Sequence, residues 1–134
     1  MWNDLIWYTK THQWYDDTNG NCGLTSYAVE QLGEISFVDL EALEGAEVQQ
    51  LKMSGDEPAS DPLDCTIESS KAVGDIYAPV SGTIAEINRD LMDAPEKINE
   101  DPMGAWIFKV EASKLAAEKK NLLNEKQYQA FIGQ

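Results

Sequence analysis

The sequence predicts a mainly β domain of short antiparallel strands, forming a small sandwich or flattened barrel with short helices and a helical C-terminus. Short β-branched and aromatic runs alternate with glycine, proline and asparagine turns as far as residue 110. From residue 113 to residue 133 the apolar spacing becomes helical. A chain of 134 residues can bury one modest core, so we expect a single domain over residues 1–134.

The first predicted elements form a hairpin. Residues 5–15 are aromatic and β-branched, which favours one continuous strand. Asn19-Gly20 is a strong hairpin-turn signal, so the chain should reverse there into a return strand at residues 22–24.

A short helix and two more strands are expected next. Thr25 and Ser26 offer capping hydroxyls to a helix over residues 27–32, and Gly33 would end that helix. The strand-like runs that follow are residues 35–40 and 45–48.

The middle of the chain contains a predicted loop and a predicted irregular strand. Residues 52–64 are polar, with one glycine and two prolines, which is typical of an exposed loop. Residues 82–88 favour a strand, but Ile84 and Ile87 break strict alternation, which predicts a bulge or bend.

The last third of the chain is expected to be mostly helical. Residues 91–99 favour a short helix with Pro95 in its first turn, and residues 106–110 favour a last strand. Within the helical C-terminus, Asn124 would separate two helices by capping the second.

The charge balance limits the class of partner. The net charge is −14, from 24 acidic and 10 basic residues, so the surface should repel phosphate backbones and nucleic acid is not expected as a partner. The acidity would either favour basic docking faces on partner proteins or simply confer solubility. No apolar run approaches the roughly 20 residues of a membrane span, and no secretory signal begins the chain, so we expect a cytoplasmic protein.

The residues that usually carry catalysis or bind metals are scarce. Cys22 and Cys65 form neither a disulfide framework nor a metal motif, and His12 is the only histidine. No nucleophilic triad or phosphate-binding loop is present. We therefore predict no metal site and no enzyme activity. Cys65 is either a small packed strand residue or a thiol able to exchange with a nearby disulfide.

One lysine has a distinctive setting. Lys71 lies in the run Glu68-Ser69-Ser70-Lys71-Ala72, between strand-like stretches at residues 65–67 and 76–82. Two such stretches with small polar residues between them predict a hairpin whose tip would carry the lysine clear of the body. An exposed lysine on a rigid tip is suited to a covalently attached prosthetic arm, although an ordinary solvated turn lysine has the same pattern.

A family resemblance covers almost the whole chain. Residues 68–72, followed by Ala78-Pro79-Val80-Ser81-Gly82, resemble the lipoyl-attachment region of the H proteins of the glycine cleavage system. The other stretches that resemble this family are residues 8–14, 24–28, 31–33, 37–40, 99–102 and Trp106.

The resemblance implies a lipoyl-domain (barrel-sandwich hybrid) fold and a carrier protein with a swinging arm. Lipoate would be joined by an amide to the ε-amine of Lys71, and the small neighbours Ser70 and Ala72 favour lipoate over biotin. The expected partners are a lipoate ligase or lipoyl-assembly enzymes, dihydrolipoamide dehydrogenase, and the enzymes between which the arm moves. The remaining predicted site residues are Glu68, Ser69 and Asp75 beside the attachment point, and Thr11, His12 and Gln13 as candidates for a cleft holding the arm.

Three departures from the family pattern affect the predicted pathway, the smallest being Leu40-Glu41-Ala42, where the family usually has proline after the leucine. The family normally has glutamate at the position of Gln13, where a carboxylate would balance a cationic aminomethyl group on the arm. The stretch between Val48 and Glu68 is also longer than is typical of the family.

These departures favour a branch of H-like proteins, the lipoate-binding proteins of bacterial sulfur oxidation. Their arm is expected to carry a sulfur intermediate to a heterodisulfide-reductase-like complex, and a sulfur adduct needs no counter-charge. The alternative is a glycine cleavage H protein that shuttles the aminomethyl group between glycine cleavage enzymes. A further alternative is an adaptor of the same fold that carries no lipoate.

Overall fold

The computed structural model describes residues 4–133 as strands and short helices. The strands are β1 (Ile6–Tyr8), β2 (Gln13–Asp16), β3 (Asn21–Leu24), β4 (Ile35–Asp39), β5 (Glu47–Val48), β6 (Met53–Ser54), β7 (Glu57–Pro58), β8 (Thr66–Ser69), β9 (Val73–Gly74), β10 (Gly82–Ile87) and β11 (Phe108–Ala112). The helices are α1 (Ser26–Leu32), α2 (Asp90–Asp93), α3 (Lys97–Glu100), α4 (Leu115–Glu118) and α5 (Glu125–Ile132), with 3₁₀ turns at Glu41–Leu43 and Lys119–Asn121.

The strands form three antiparallel sheets. A six-stranded sheet has the order β1-β2-β3-β11-β10-β5, a three-stranded sheet has the order β4-β8-β9, and β6 pairs with β7. The mainly antiparallel architecture with short helices agrees with the fold class that the sequence predicts. Among residues 4–133, no helix has the length and apolarity that crossing a bilayer would require.

The interior is divided into two apolar clusters. The main core includes Ile67, Val80 and Ile84, which are fully buried, and it draws on strands of both larger sheets. A smaller aromatic cluster is built around Tyr8, Trp14 and Tyr128 and lies between the N-terminal strands and α5. The C-terminal helix therefore has its own packing partner, as its apolar spacing predicts.

Local signals predicted several boundaries correctly. Thr25 caps α1 by accepting a hydrogen bond from the Ala28 amide, and Gly33 ends the helix. Asn124 caps α5 in a reciprocal pair of hydrogen bonds with Gln127. The predicted irregularity of β10 is a register shift between Ile84 and Glu86.

The prediction of one strand over residues 5–15 was wrong. The run divides into β1 and β2, which pair with each other across a turn at residues 9–12. His12 has a φ of 68°, in the left-handed region, and its amide donates to the Thr9 carbonyl (3.1 Å). Because β-branched and aromatic residues conceal this turn, composition alone indicates a continuous strand.

Three further boundaries differ from the predictions. The single helix over residues 91–99 is two one-turn helices, α2 and α3, with Pro95 between them because proline interrupts helical hydrogen bonding. The 52–64 loop is exposed for most of its length, but it contains the β6–β7 hairpin. The last strand begins at Phe108 instead of Trp106.

Candidate functional site

Lys71 lies at the tip of the hairpin formed by β8 and β9. Ile67 pairs with Gly74 and Glu68 with Val73, and the turn is closed by a hydrogen bond from the Ser69 amide to the Ala72 carbonyl (2.9 Å). Ser70 and Lys71 are exposed. The return strand is nearer than the predicted stretch at residues 76–82, which makes the hairpin tight and its tip well defined.

Ser69 fixes the turn to the body of the protein. Its hydroxyl donates to the Leu32 carbonyl at the end of α1 (2.6 Å). The same oxygen accepts from the amides of Ala72 (3.1 Å) and Lys71 (3.3 Å). One serine thus satisfies a carbonyl left free by the last turn of a helix and holds the backbone of the lysine in place.

Gly33 provides the surface on which the lysine side chain lies. Its φ of 85° is in the region that favours glycine, and a Cβ there would lie 2.8 Å from Cε of Lys71. The methylenes of Lys71 therefore run across the end of α1. None of the ion pairs found among the described residues involves Lys71, so its amine is open to a modifying enzyme.

The other predicted neighbours of Lys71 differ in position. Glu68 is half-buried in β8, where it pairs with Phe37 on one side and Val73 on the other. Asp75 is exposed just beyond β9.

Cys65 does not have the setting of a reactive thiol. Burial, reinforced by the carboxylates of Asp64, Asp39 and Asp75, raises the pKa of Cys65 to about 12. Burial also raises the pKa of Cys22, which is completely inaccessible to solvent. Because thiolates and not thiols attack disulfides, both cysteines have the properties of packed strand residues. Both are free in the structure.

Gln13 pairs with the backbone of Tyr77. The side-chain carbonyl accepts from the Tyr77 amide (2.8 Å), and the side-chain NH₂ donates to the Tyr77 carbonyl. Thr11 also donates to this side-chain carbonyl (3.3 Å), and Gln13 is only 1% exposed. The amide of glutamine matches one donor and one acceptor at once, which a carboxylate cannot do because it only accepts.

His12 is held inside an aromatic cluster. Its Nδ1 lies 2.9 Å from the Tyr128 hydroxyl, which is in turn 2.8 Å from the Thr25 hydroxyl. The ring also packs against Tyr27, with the centroids 4.4 Å apart, and burial lowers the pKa of His12. His12 therefore links the turn before β2 to α1 and α5. The predicted role of residues 11–13 in an arm cleft stays a prediction.

A cavity of about 760 Å³ lies beside the 52–64 loop. Lys52 and Met53 contribute to its wall, and its floor is organised by Gln50, which donates to the carbonyls of Pro79 and Glu118 (3.0 Å each). Lys71 and Gln13 are not among its lining residues. The start of this loop thus forms part of a cavity away from the hairpin that carries Lys71.

The sequence alone did not identify the groups that support Lys71. Leu32 takes part through its backbone carbonyl, and Gly33 takes part because it has no side chain to block the lysine. Neither role depends on a functional group that the sequence would reveal. The helix-ending role of Gly33 was the available clue, since it placed a glycine at one end of α1.

Comparisons with known proteins all indicate one family. A family model described as "Glycine cleavage H-protein" matches residues 6–134. The glycine cleavage system H protein of Thermotoga maritima is 45% identical over 130 residues, covering 95% of each chain. A probable glycine cleavage system H protein of Pyrococcus abyssi is 41% identical over 130 residues, covering 95% of this chain and 89% of its own length.

A solved structure has the same fold. The crystal structure of a glycine cleavage system H protein from Mycobacterium marinum matches with a TM-score of 0.75 and 31% sequence identity. The match covers 98% of this chain and 99% of the other. This likeness confirms the fold that the sequence resemblance implies.

Proposed function

Because the chain belongs to the glycine cleavage H-protein family, we propose that it is the lipoyl carrier of a glycine cleavage system, with lipoate attached at Lys71. Proteins of this family carry covalently attached lipoate and are carriers, not catalysts. The observation that carries the proposal is the exposed, unpaired lysine on a hairpin tip whose backbone is fixed by Ser69.

The residues around Lys71 fit an amide-linked arm. The amine is open to solvent, and the absent side chain of Gly33 leaves room for the lysine methylenes against the end of α1. When bound, lipoate supplies a dithiol–disulfide pair at the end of a flexible chain. The protein's own part is presentation, because Ser69 holds the tip while the lysine remains free to swing.

The role of Gln13 weakens the case for the sulfur-oxidation branch. That reading depended on the missing negative charge at residue 13, but the amide has a structural reason to be there, because it pairs with both backbone groups of Tyr77. The relatives described above are named as glycine cleavage proteins, which favours the alternative reading. We therefore propose the glycine cleavage enzymes, dihydrolipoamide dehydrogenase and a lipoate ligase as partners, and not a heterodisulfide-reductase-like complex.

A cytoplasmic location remains part of the proposal. Both cysteines are free, and a dithiol arm requires a compartment in which thiols stay reduced.

The proposal is tested by modification followed by turnover. The protein is expressed with lipoate and a lipoate ligase, and glycine decarboxylation is then measured with the other glycine cleavage enzymes. We expect one lipoyl group and full activity for the wild type and for the control variant Lys120→Arg, which changes an exposed lysine elsewhere. Lys71→Arg should remain unmodified and inactive.

Two results would contradict parts of the proposal. A correctly lipoylated protein that supports no glycine decarboxylation would exclude the pathway and leave sulfur transfer as the carrier function to assay. A wild-type protein that no ligase modifies would instead indicate the adaptor role.

A further inference from the structure

Two large apolar side chains are exposed near Lys71, on the two outer strands of the three-stranded sheet. Phe37 is 51% exposed and Val73 is 64% exposed. Among the described residues, the other large apolar side chains with comparable exposure are Leu5 and Met103. Two of these four side chains, Phe37 and Val73, therefore lie on the three-stranded sheet that carries Lys71.

The strand register places these side chains in one row. Phe37 in β4 lies opposite Glu68 in β8, and Glu68 lies opposite Val73 in β9. Directly opposed residues share a face of the sheet, with Cβ atoms about 5 Å apart. The neighbouring pair, Val38 and Ile67, points to the other face and is buried. The row is thus the outer face of a sheet whose inner face is packed on the core.

The position of the row indicates which partner it meets. An enzyme that acylates Lys71 must bring an activated acyl group to Nζ, so it must cover the hairpin, and Val73 is only two residues from the lysine. Enzymes that act on the far end of the arm have no such requirement. Large apolar side chains exposed on one face of a sheet, here on either side of Glu68, are features of interaction surfaces.

The charge around the row indicates the chemistry of the partner. Glu68 lies between the two apolar side chains, and the whole chain has a net charge of −14. Gly33, over which the lysine runs, also lines a shallow cleft with acidic side chains. These side chains are Glu30, Glu34, Glu96 and Glu100. A complementary partner presents apolar groups flanked by Lys or Arg.

We propose that Phe37 and Val73 are the apolar contacts on which the enzyme that acylates Lys71 docks, an inference that rests on the proposed function. The acyl carbon of an adenylate-activated lipoate forms a bond to Nζ while its bond to the AMP phosphate oxygen breaks and AMP leaves. The ammonium of Lys71 gives up two protons to water, one before it attacks and one as the amide forms. Phe37 and Val73 take no part in that chemistry, because their contribution is to binding the apoprotein.

The test compares acylation rates of apoprotein variants with a lipoate–protein ligase, lipoate and ATP. The double variant Phe37→Thr/Val73→Thr places a residue of high β-propensity at both positions and removes the large apolar side chains. We expect its kcat/KM to fall by about tenfold, mainly through KM, in line with the loss of an apolar interface anchor. Met103→Thr, which removes an exposed apolar side chain elsewhere, should stay within about twofold of the wild type.

Thermal melts of the apoproteins show whether slower acylation results from loss of folding. Because the substitutions are at exposed positions, the midpoint of unfolding should stay close to that of the wild type. Equal acylation of the double variant and the wild type would overturn the inference while leaving the proposed function intact. Unchanged acylation with slower downstream group transfer would also overturn it, since the row would then serve a different enzyme. Failure of the wild type to be acylated would contradict the proposed function itself.

Discussion

The tip at Lys71 and residues 11–13, where the first turn of the chain leads into β2, are both polar, but they have opposite environments. At the tip, Ser69 bonds to the body of the protein and the lysine side chain remains open to solvent. In the turn, the Gln13 amide and the His12 ring are committed to partners inside the protein. The difference shows that this fold separates the exposed lysine, the proposed attachment residue, from the polar side chains that hold the scaffold together.

The largest effect is expected when a charge is placed at the buried position of Gln13. Gln13→Glu should destabilise the protein by about 3 kcal/mol or more at pH 7.5, because a buried carboxylate would face the Tyr77 carbonyl without a donor to offer. The measurement is urea denaturation of the variant and the wild type. Gln129→Glu, at an exposed position of α5, is the charge-matched control and should change stability by less than about 0.5 kcal/mol.

The pH dependence of Gln13→Glu gives an independent check. Burial should raise the pKa of the new carboxyl above its unfolded value, so the protonated form is favoured in the folded state. The cost relative to wild type should therefore shrink as the pH falls from 7.5 toward 5, since the protonated acid can again donate to Tyr77. A difference that does not depend on pH would contradict the paired-amide role.

A second variant tests whether Ser69 fixes the hairpin tip at Lys71. Ser69→Ala removes the bond to the Leu32 carbonyl and the acceptor for the amides of Lys71 and Ala72. Local opening of the tip should become easier by about 1–2 kcal/mol. Hydrogen exchange of these two amides should accelerate accordingly.

The neighbouring serine supplies the control for this experiment. Ser70→Ala, at an exposed position of the same turn, should leave exchange of the Lys71 and Ala72 amides unchanged. Equal protection in both variants would show that Ser69 does not fix the tip.

The smallest expected effect concerns the titration of His12. Burial lowers its pKa below the ordinary 6.5, so the neutral ring is favoured in the folded state. This contribution to stability is complete above the unfolded pKa and is lost as the pH falls through 6.5 toward the folded pKa. His12→Asn suits the left-handed backbone and should remove that part of the pH dependence between pH 7.5 and 5.5. Identical slopes for both proteins would contradict the assignment.

Local signals in the sequence were enough to predict much of the fold and the exposed setting of Lys71. Thr25, Gly33 and Asn124 act through neighbours within a few residues, so their capping roles are visible in sequence. The hairpin setting of Lys71 predicted an exposed lysine, which the structure places on a tip, whereas its role as the attachment residue came from the family resemblance and stays a prediction.

The unpredicted features depend on partners that are distant in sequence. Gln13 meets Tyr77 across 64 positions, Thr25 meets Tyr128 across 103, and Ser69 meets Leu32 across 37. Two of these bonds end on backbone atoms, which every residue possesses, so composition gives no sign of them. For this reason, Gln13 resembled a lost counter-charge in the sequence while in the fold it is a structural amide.

The most direct test of the central claim is peptide mapping by mass spectrometry of the protein purified from its natural host. The account predicts a single lipoyl group, found on the peptide that contains Lys71 and absent from the peptides that contain the other lysines. A bare Lys71 under every growth condition, or a lipoyl group on another lysine, would contradict it.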